Sequence, residues 1–223
     1  MGNCKAEQLE LYLVTDRKRT GQHRLAWQVE QAVLGGVTIV QFREKEIDRD
    51  TEERLVGEVA MVCRKYGIPL IMNDSPEKAL RYDLDGVHVG QDDVGVREAR
   101  ELLGEGKIIG ATAHNLEEAM QAEREGADYL GVGAVFPSSS KENTIPLSME
   151  ELARICQSVS IPVVAIGGLT YENMDILQGS GVDGIAVISA LLCAENIQEM
   201  AERLKTKIHM LDMQKNKCVQ KRD

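Results

Sequence analysis

The sequence predicts an α/β chain folded as a single (β/α)8 barrel of the TIM type, and three observations predict it. Short β-branched apolar runs alternate with longer stretches whose apolar residues recur at i, i+3 and i+4, the rhythm of strand followed by helix. Eight such units fit into roughly 200 residues, the lower size range of a closed barrel. No G-x-G-x-x-G follows the first run, so the glycine-rich opening turn of an open doubly wound sheet is missing.

The strand candidates are Leu11–Thr15, Val37–Phe42, Ile68–Met72, Gly86–Val89, Lys107–Ala111, Tyr129–Val132, Pro162–Ile166 and Gly184–Ile188, each followed by helix-like sequence. Leu25, Val29, Ala32 and Val33 form one apolar helix face. Leu55, Val59, Val62 and Cys63 form another, and Leu152, Ile155, Cys156 and Val159 a third; each should lie against the sheet. Ser75 before Pro76 is a helix entry, and Ser148 with Glu151 and Asn115 with Glu118 have capping-box spacing. Gly35, Gly67, Gly104, Gly126 and Gly181 fall where a helix should stop. An internal echo, Leu84-Asp85-Gly86-Val87, Ala127-Asp128-Tyr129-Leu130 and Val182-Asp183-Gly184-Ile185, opens three strands with an acidic residue. The last helix runs from about Ile197 through Met200, Ala201, Leu204 and Ile208. Residues 1–212 are therefore expected to form the barrel, and 213–223 a mobile polar tail.

At 223 residues the chain has room for one well-buried core, so no second domain is needed. With 43% hydrophobic and 28% charged residues it should fold by itself. A formal net charge of -10 disfavours nucleic acid and anionic membranes as partners, so an anionic substrate must be drawn by local cations. Cys4, Cys63, Cys156, Cys193 and Cys218 are scattered without zinc-ligand spacing, and no signal-peptide-like or membrane-spanning run occurs. These features lead us to expect a cytoplasmic protein acting on small molecules, either as a monomer or as a homo-oligomer.

Chemistry in such barrels sits on loops leaving the C-terminal ends of the strands. Strand 2 ends in Gln41-Phe42-Arg43-Glu44-Lys45, where alternation would turn Gln41, Arg43 and Lys45 to one side; a solvated charge run is the competing reading. Strands 3 and 4 end in Asn73-Asp74 and Gly90-Gln91-Asp92-Asp93. Asp74 and Asp93 could share a hard cation such as magnesium, or each could merely cap the following helix. Strand 5 ends in Thr112-Ala113-His114, with His114 either an acid–base group or a polar rim residue. Strand 6 leads into Phe136-Pro137-Ser138-Ser139-Ser140-Lys141, an anion cradle or a plain serine-rich loop. Gly167-Gly168 after strand 7 and Ser189 after strand 8 match the phosphate site that recurs in this fold, although the glycines also suit a tight turn.

Together with Asp85-Gly86-Val87-His88-Val89 and Ile166-Gly167-Gly168-Leu169, these motifs resemble the thiamine phosphate synthase family in order and spacing, over roughly residues 10 to 205. The resemblance implies magnesium (Mg2+) on Asp74 and Asp93, and Arg43, Asn73 and Lys141 on the pyrophosphate of an aminopyrimidine methyl diphosphate. It puts Gln41 at the pyrimidine and Thr112 beside the pyrimidine and pyrophosphate. Gly168, Ile188 and Ser189 would hold the phosphate of a thiazole partner, with Ser138 and Ser140 nearby. It further implies a transferase whose leaving group departs early, with Arg43, Lys141 and Thr112 serving catalysis and Lys45 adding charge to the substrate site. Thr112 stands where the family commonly has serine, and Ser138 and Ser140 where it commonly has threonine; each exchange keeps the hydroxyl.

Two other readings compete. A thiazole tautomerase of the same superfamily would use a rim histidine, and His114 occupies the matching position. A non-catalytic barrel binding a phosphate ligand would need no metal for turnover.

Overall fold

A computed structural model describes residues 4–137 and 146–219, with side chains through residue 211. Eight parallel strands close into a barrel in the order β1-β2-β3-β4-β5-β6-β7-β8. They are β1 Leu11–Val14, β2 Ile39–Phe42, β3 Leu70–Asn73, β4 Gly86–Val89, β5 Ile108–Ala113, β6 Tyr129–Gly133, β7 Val163–Ile166 and β8 Gly184–Val187. The ring closes through Leu11 opposite Ile185 and Leu13 opposite Val187. Around it lie α1 Leu25–Leu34, α2 Arg49–Tyr66, α3 Pro76–Arg81, α4 Val96–Leu103, α5 Leu116–Arg124, α6 Met149–Ser158, α7 Ser189–Leu192 and α8 Ile197–Val219.

The helices form where apolar spacing and caps coincide. In α2, Leu55, Val56, Val59, Ala60 and Cys63 are buried, Asp48 accepts the Thr51 N–H at the start, and Gly67 takes the left-handed conformation at the end. Ser75, Asn115 and Ser148 each accept the N–H three residues on, as their spacing predicts. Glu118 and Glu151 do not complete capping boxes. Glu118 instead takes the His114 N–H, and Glu151 reaches across to the Leu116 N–H at the start of α5.

Two departures from the sequence reading stand out. Between β7 and β8 a 3-10 turn, Met174–Leu177, replaces the expected α-helix. Its two buried residues lie three apart, which suits a 3-10 turn, and Gly179 and Gly181 with positive φ end the segment. At the C-terminus α8 runs through Val219, past Met213, where the sequence suggests that a tail begins.

The core has two layers. One, between strands and helices, includes Leu13, Val40, Val59, Ile109, Leu130 and Leu204; the other fills the barrel with Tyr12, Val14, Ile39, Ile71, Ile108, Tyr129 and Val164. The interior holds two large polar rings, Tyr129 and His88, because Gly110 lies beside them: a Cβ there would collide with both.

The acidic echo is a fastening at the N-terminal rim. Asp85, Asp128 and Asp183 accept the N–H groups of Leu70, Ile109 and Val163 at 2.8, 2.8 and 2.9 Å, tying each strand start to the strand before it. Asp128 is also paired with Arg100 at 2.7 Å. These aspartates secure the end of the barrel opposite the site, leaving the other end for chemistry.

Candidate active site

At the C-terminal rim the strands surround a cavity of about 540 Å³. Strand alternation holds as expected: Gln41, Arg43 and Lys45 line it, while Phe42 is buried in the core. Glu44 turns away to receive the Arg17 N–H at 2.9 Å, and burial raises its carboxyl above the ordinary carboxylate range. It is a fastener for the β1 loop within a motif otherwise turned inward.

Asn73 and Asp74 at the end of β3, and Asp93 beyond β4, line the neighbouring wall. Neither aspartate caps a helix: Ser75 caps α3, and Gly95 stands at the start of α4. Asp74 has φ +66° and donates its N–H to the His88 carbonyl at 2.8 Å, a sharp turn that aspartate tolerates better than most residues. Burial pushes the Asp74 carboxyl upward, and a shared hydrogen bond with Asp93 and that group's charge add to the effect; Lys45 and Asn73 partly offset it. Asp93 Oδ2 also accepts the Gly90 N–H at 2.7 Å. Two carboxylates crowded together this way are the donor set a divalent cation relieves. Among the described residues no group of three or more His, Cys, Asp or Glu side chains forms. As a pair of carboxylate oxygens, Asp74 and Asp93 fit a hard divalent cation that completes its shell with water and phosphate.

The opposite wall comes from β7 and β8. Gly167 and Gly168 have φ of +107° and +58°. A Cβ on Gly167 would lie 2.6 Å from Ala134 Cβ, and one on Gly168 2.7 Å from the Pro137 carbonyl oxygen. The turn reading holds, since glycine is required there, and the bare backbone lines the cavity beside Ile188 and Ser189. The Phe136 N–H donates to the Gly167 carbonyl at 3.0 Å, fixing the base of the β6 loop against this wall. Ser138, Ser140 and Lys141, farther along that loop, lie outside the described residues.

Thr112 and His114 line the cavity at the end of β5. His114 Nδ1 pairs with Glu118 at 2.9 Å, an orienting contact that the sequence reading did not anticipate. Sequence reasoning gave no role to Gln91, whose Nε2 donates to the Thr112 carbonyl, or to the floor of the cavity, made by Tyr12, His88 and Tyr129. The available signal was period-two alternation: Tyr12 and Tyr129 lie within strands, on faces that closure turns into the barrel.

A closed parallel barrel with cations and paired carboxylates on one wall and a glycine-lined turn on the other defines a TIM-barrel protein for phosphate-bearing small molecules. The sequence profile of the thiamine monophosphate synthase family matches residues 11–191. A thiamine-phosphate synthase of Clostridium acetobutylicum is 48% identical over 86% of this chain and 91% of its own. Thiamine-phosphate synthase 2 of Streptococcus pneumoniae is 44% identical over 91% and 97%. The solved structure of thiamine phosphate pyrophosphorylase from Pyrococcus furiosus superposes with a TM-score of 0.83 at 36% identity, covering 92% of this chain and 98% of that one. The chain belongs to the thiamine monophosphate synthase family.

Proposed function

We propose that the protein is a thiamine phosphate synthase, a transferase that joins 4-amino-2-methyl-5-(diphosphooxymethyl)pyrimidine to 4-methyl-5-(2-phosphoethyl)thiazole, giving thiamine phosphate and pyrophosphate, or to its carboxylated form, which also releases carbon dioxide. One observation carries the reading: a single cavity has Arg43, Lys45 and the Asp74–Asp93 carboxylate pair on one wall and the bare Gly167-Gly168 turn with Ser189 on the other. That asymmetry suits a diphosphate that leaves and a monophosphate that stays.

On the first wall Arg43, Lys45 and Asn73, joined by Lys141, hold the pyrophosphate, and Asp74 and Asp93 would hold magnesium. Bound there, the metal supplies positive charge against the leaving group. Gln41 and Thr112 orient the pyrimidine. On the second wall the Gly168 backbone, Ile188 and Ser189 hold the thiazole phosphate, with Ser138 and Ser140 adding hydroxyls. The pyrimidine methylene C–O bond breaks first and its electron pair leaves with the pyrophosphate. Arg43 and Lys141 stabilise that growing charge, and the thiazole nitrogen lone pair then forms the C–N bond. No protein base is needed, consistent with a site of cations, amides and hydroxyls.

The His114–Glu118 pair favours a second reading, thiazole tautomerisation, since a carboxylate on Nδ1 leaves Nε2 to take a proton. Purified protein given both substrates separates the two. Thiamine phosphate and pyrophosphate appearing together, and only with both substrates, support the synthase. A tautomerised thiazole carboxylate without pyrophosphate would replace it with the tautomerase.

A further inference from the structure

The cavity floor is one continuous run of hydrogen bonds. Gln41 Nε2 donates to the Tyr12 hydroxyl at 3.1 Å, and Tyr12 meets the Tyr129 hydroxyl at 2.8 Å. Tyr129 meets His88 Nδ1 at 3.1 Å, and His88 Nε2 meets Thr112 Oγ1 at 3.0 Å. Tyr12 and Tyr129 are 2% and 0% exposed, so their hydroxyls take their partners from one another and from the side chains beside them.

The direction of the run follows from proton counting. An amide nitrogen only donates, so the Tyr12 oxygen accepts from Gln41. Among the described residues its hydroxyl has one other partner, Tyr129, which must receive its single proton. Tyr129, having accepted, gives its own proton to His88 Nδ1. His88 then carries hydrogen on Nε2 and donates to Thr112, whose proton is turned away from His88, at a residue that lines the cavity. Reversing the run would require Gln41 to present its amide oxygen, in place of Nε2, to the Tyr12 hydroxyl. Burial also raises both phenols above their ordinary range, so neither becomes a phenolate that would break it.

We propose that Gln41, Tyr12, Tyr129, His88 and Thr112 form a one-way hydrogen-bond chain that fixes His88 as its Nε2–H tautomer and makes Thr112 a hydrogen-bond donor to the bound pyrimidine diphosphate. Tyr129 is thus a positioning residue, acting on substrate through His88 and Thr112. This deepens the synthase reading and rests on it for the identity of the ligand, but the tautomer does not depend on it.

The test has two readouts on the full-length protein. Histidine labelled with 15N, with the His88 resonances assigned by their loss in His88→Gln, reports which ring nitrogen is protonated. The wild type should show a protonated Nε2 and an unprotonated Nδ1; a protonated Nδ1 overturns the chain whatever the protein catalyses. In Tyr129→Phe the single tautomer should give way to a mixture, with kcat for thiamine phosphate formation falling about tenfold and KM moving less than about twofold. An unchanged tautomer, or a changed tautomer with wild-type kcat, removes Tyr129 from a positioning role. A wild type that makes no thiamine phosphate refutes the synthase reading, while the tautomer measurement still decides the direction of the chain.

Discussion

Gly168→Ala, compared with Gly21→Ala, separates what a backbone conformation costs from what the site needs. Both glycines have φ +58°, but a Cβ on Gly21 would meet nothing within 4 Å, whereas one on Gly168 would lie 2.7 Å from the Pro137 oxygen and 2.8 Å from Phe136 Cβ. Holding alanine in the left-handed region costs about 1–2 kcal/mol in either place. For a chain of this size that lowers Tm by about 2–8 °C. Gly21→Ala should show that fall and keep kcat/KM within about twofold. Gly168→Ala carries the same backbone cost plus about 1–3 kcal/mol of overpacking. Relief must come from moving residues 136 and 137 or the Gly168 turn itself, and misplacing a binding group by about 1 Å costs on the order of a hundredfold in rate. Thermal unfolding and steady-state kinetics with the thiazole phosphate varied measure both effects. Equal Tm losses with equal, near-wild-type kcat/KM in the two variants would refute the assignment of this turn to phosphate binding.

Asp128→Ala should destabilise the fold by about 1–3 kcal/mol in denaturant titration, because it leaves the buried Ile109 N–H without its acceptor and takes the carboxylate from a half-buried Arg100 that keeps its bonds to the Gly104, Lys107 and Gly126 carbonyls, yet leave kcat within about twofold. It lies at the rim opposite the site. Stability should fall as pH rises from about 4.5, the ordinary Glu44 value, through its raised native value, since the native state holds the proton more tightly than the unfolded state. Glu44→Gln should remove a slope of up to about 1.4 kcal/mol per pH unit, seen as a flatter curve of unfolding free energy against pH. Cys63, 1% exposed with a thiol pushed up to about 12, should resist alkylation of the native protein, while exposed Cys193 reacts; mass spectrometry of labelled peptides distinguishes them. Lys141→Ala should lower kcat at least tenfold with Tm unchanged; wild-type turnover would remove Lys141 from the mechanism.

The barrel was legible because its signals are local. Period-two strands, i and i+3 or i+4 helix faces and serine or asparagine caps each act within one turn or one strand, so the strand ends fell within two residues of those observed. The inward turn of Gln41, Arg43 and Lys45 followed from the same alternation. The helix expected after β7 gave way to a 3-10 turn whose two buried residues, Met174 and Leu177, lie three apart and which is followed by Gly179 and Gly181 with positive φ. Pairings that depend on closure were hidden. Tyr12 and Tyr129 are 117 residues apart in the chain, and nothing along it indicates that their hydroxyls meet. The cap reading of Asp74 and Asp93 could be settled only in three dimensions, where Ser75 and Gly95 hold the cap positions.

The central claim is that paired carboxylates on one wall serve a departing pyrophosphate across from a phosphate-binding turn. It is tested most directly by the initial rate of thiamine phosphate formation as magnesium is titrated into metal-free protein, wild type beside Asp93→Asn. No product should form without metal, the wild type should show a saturable rise, and the variant should need at least about tenfold more magnesium or reach under a tenth of the rate. Full wild-type turnover in a chelator, or identical magnesium curves for the two proteins, would contradict it.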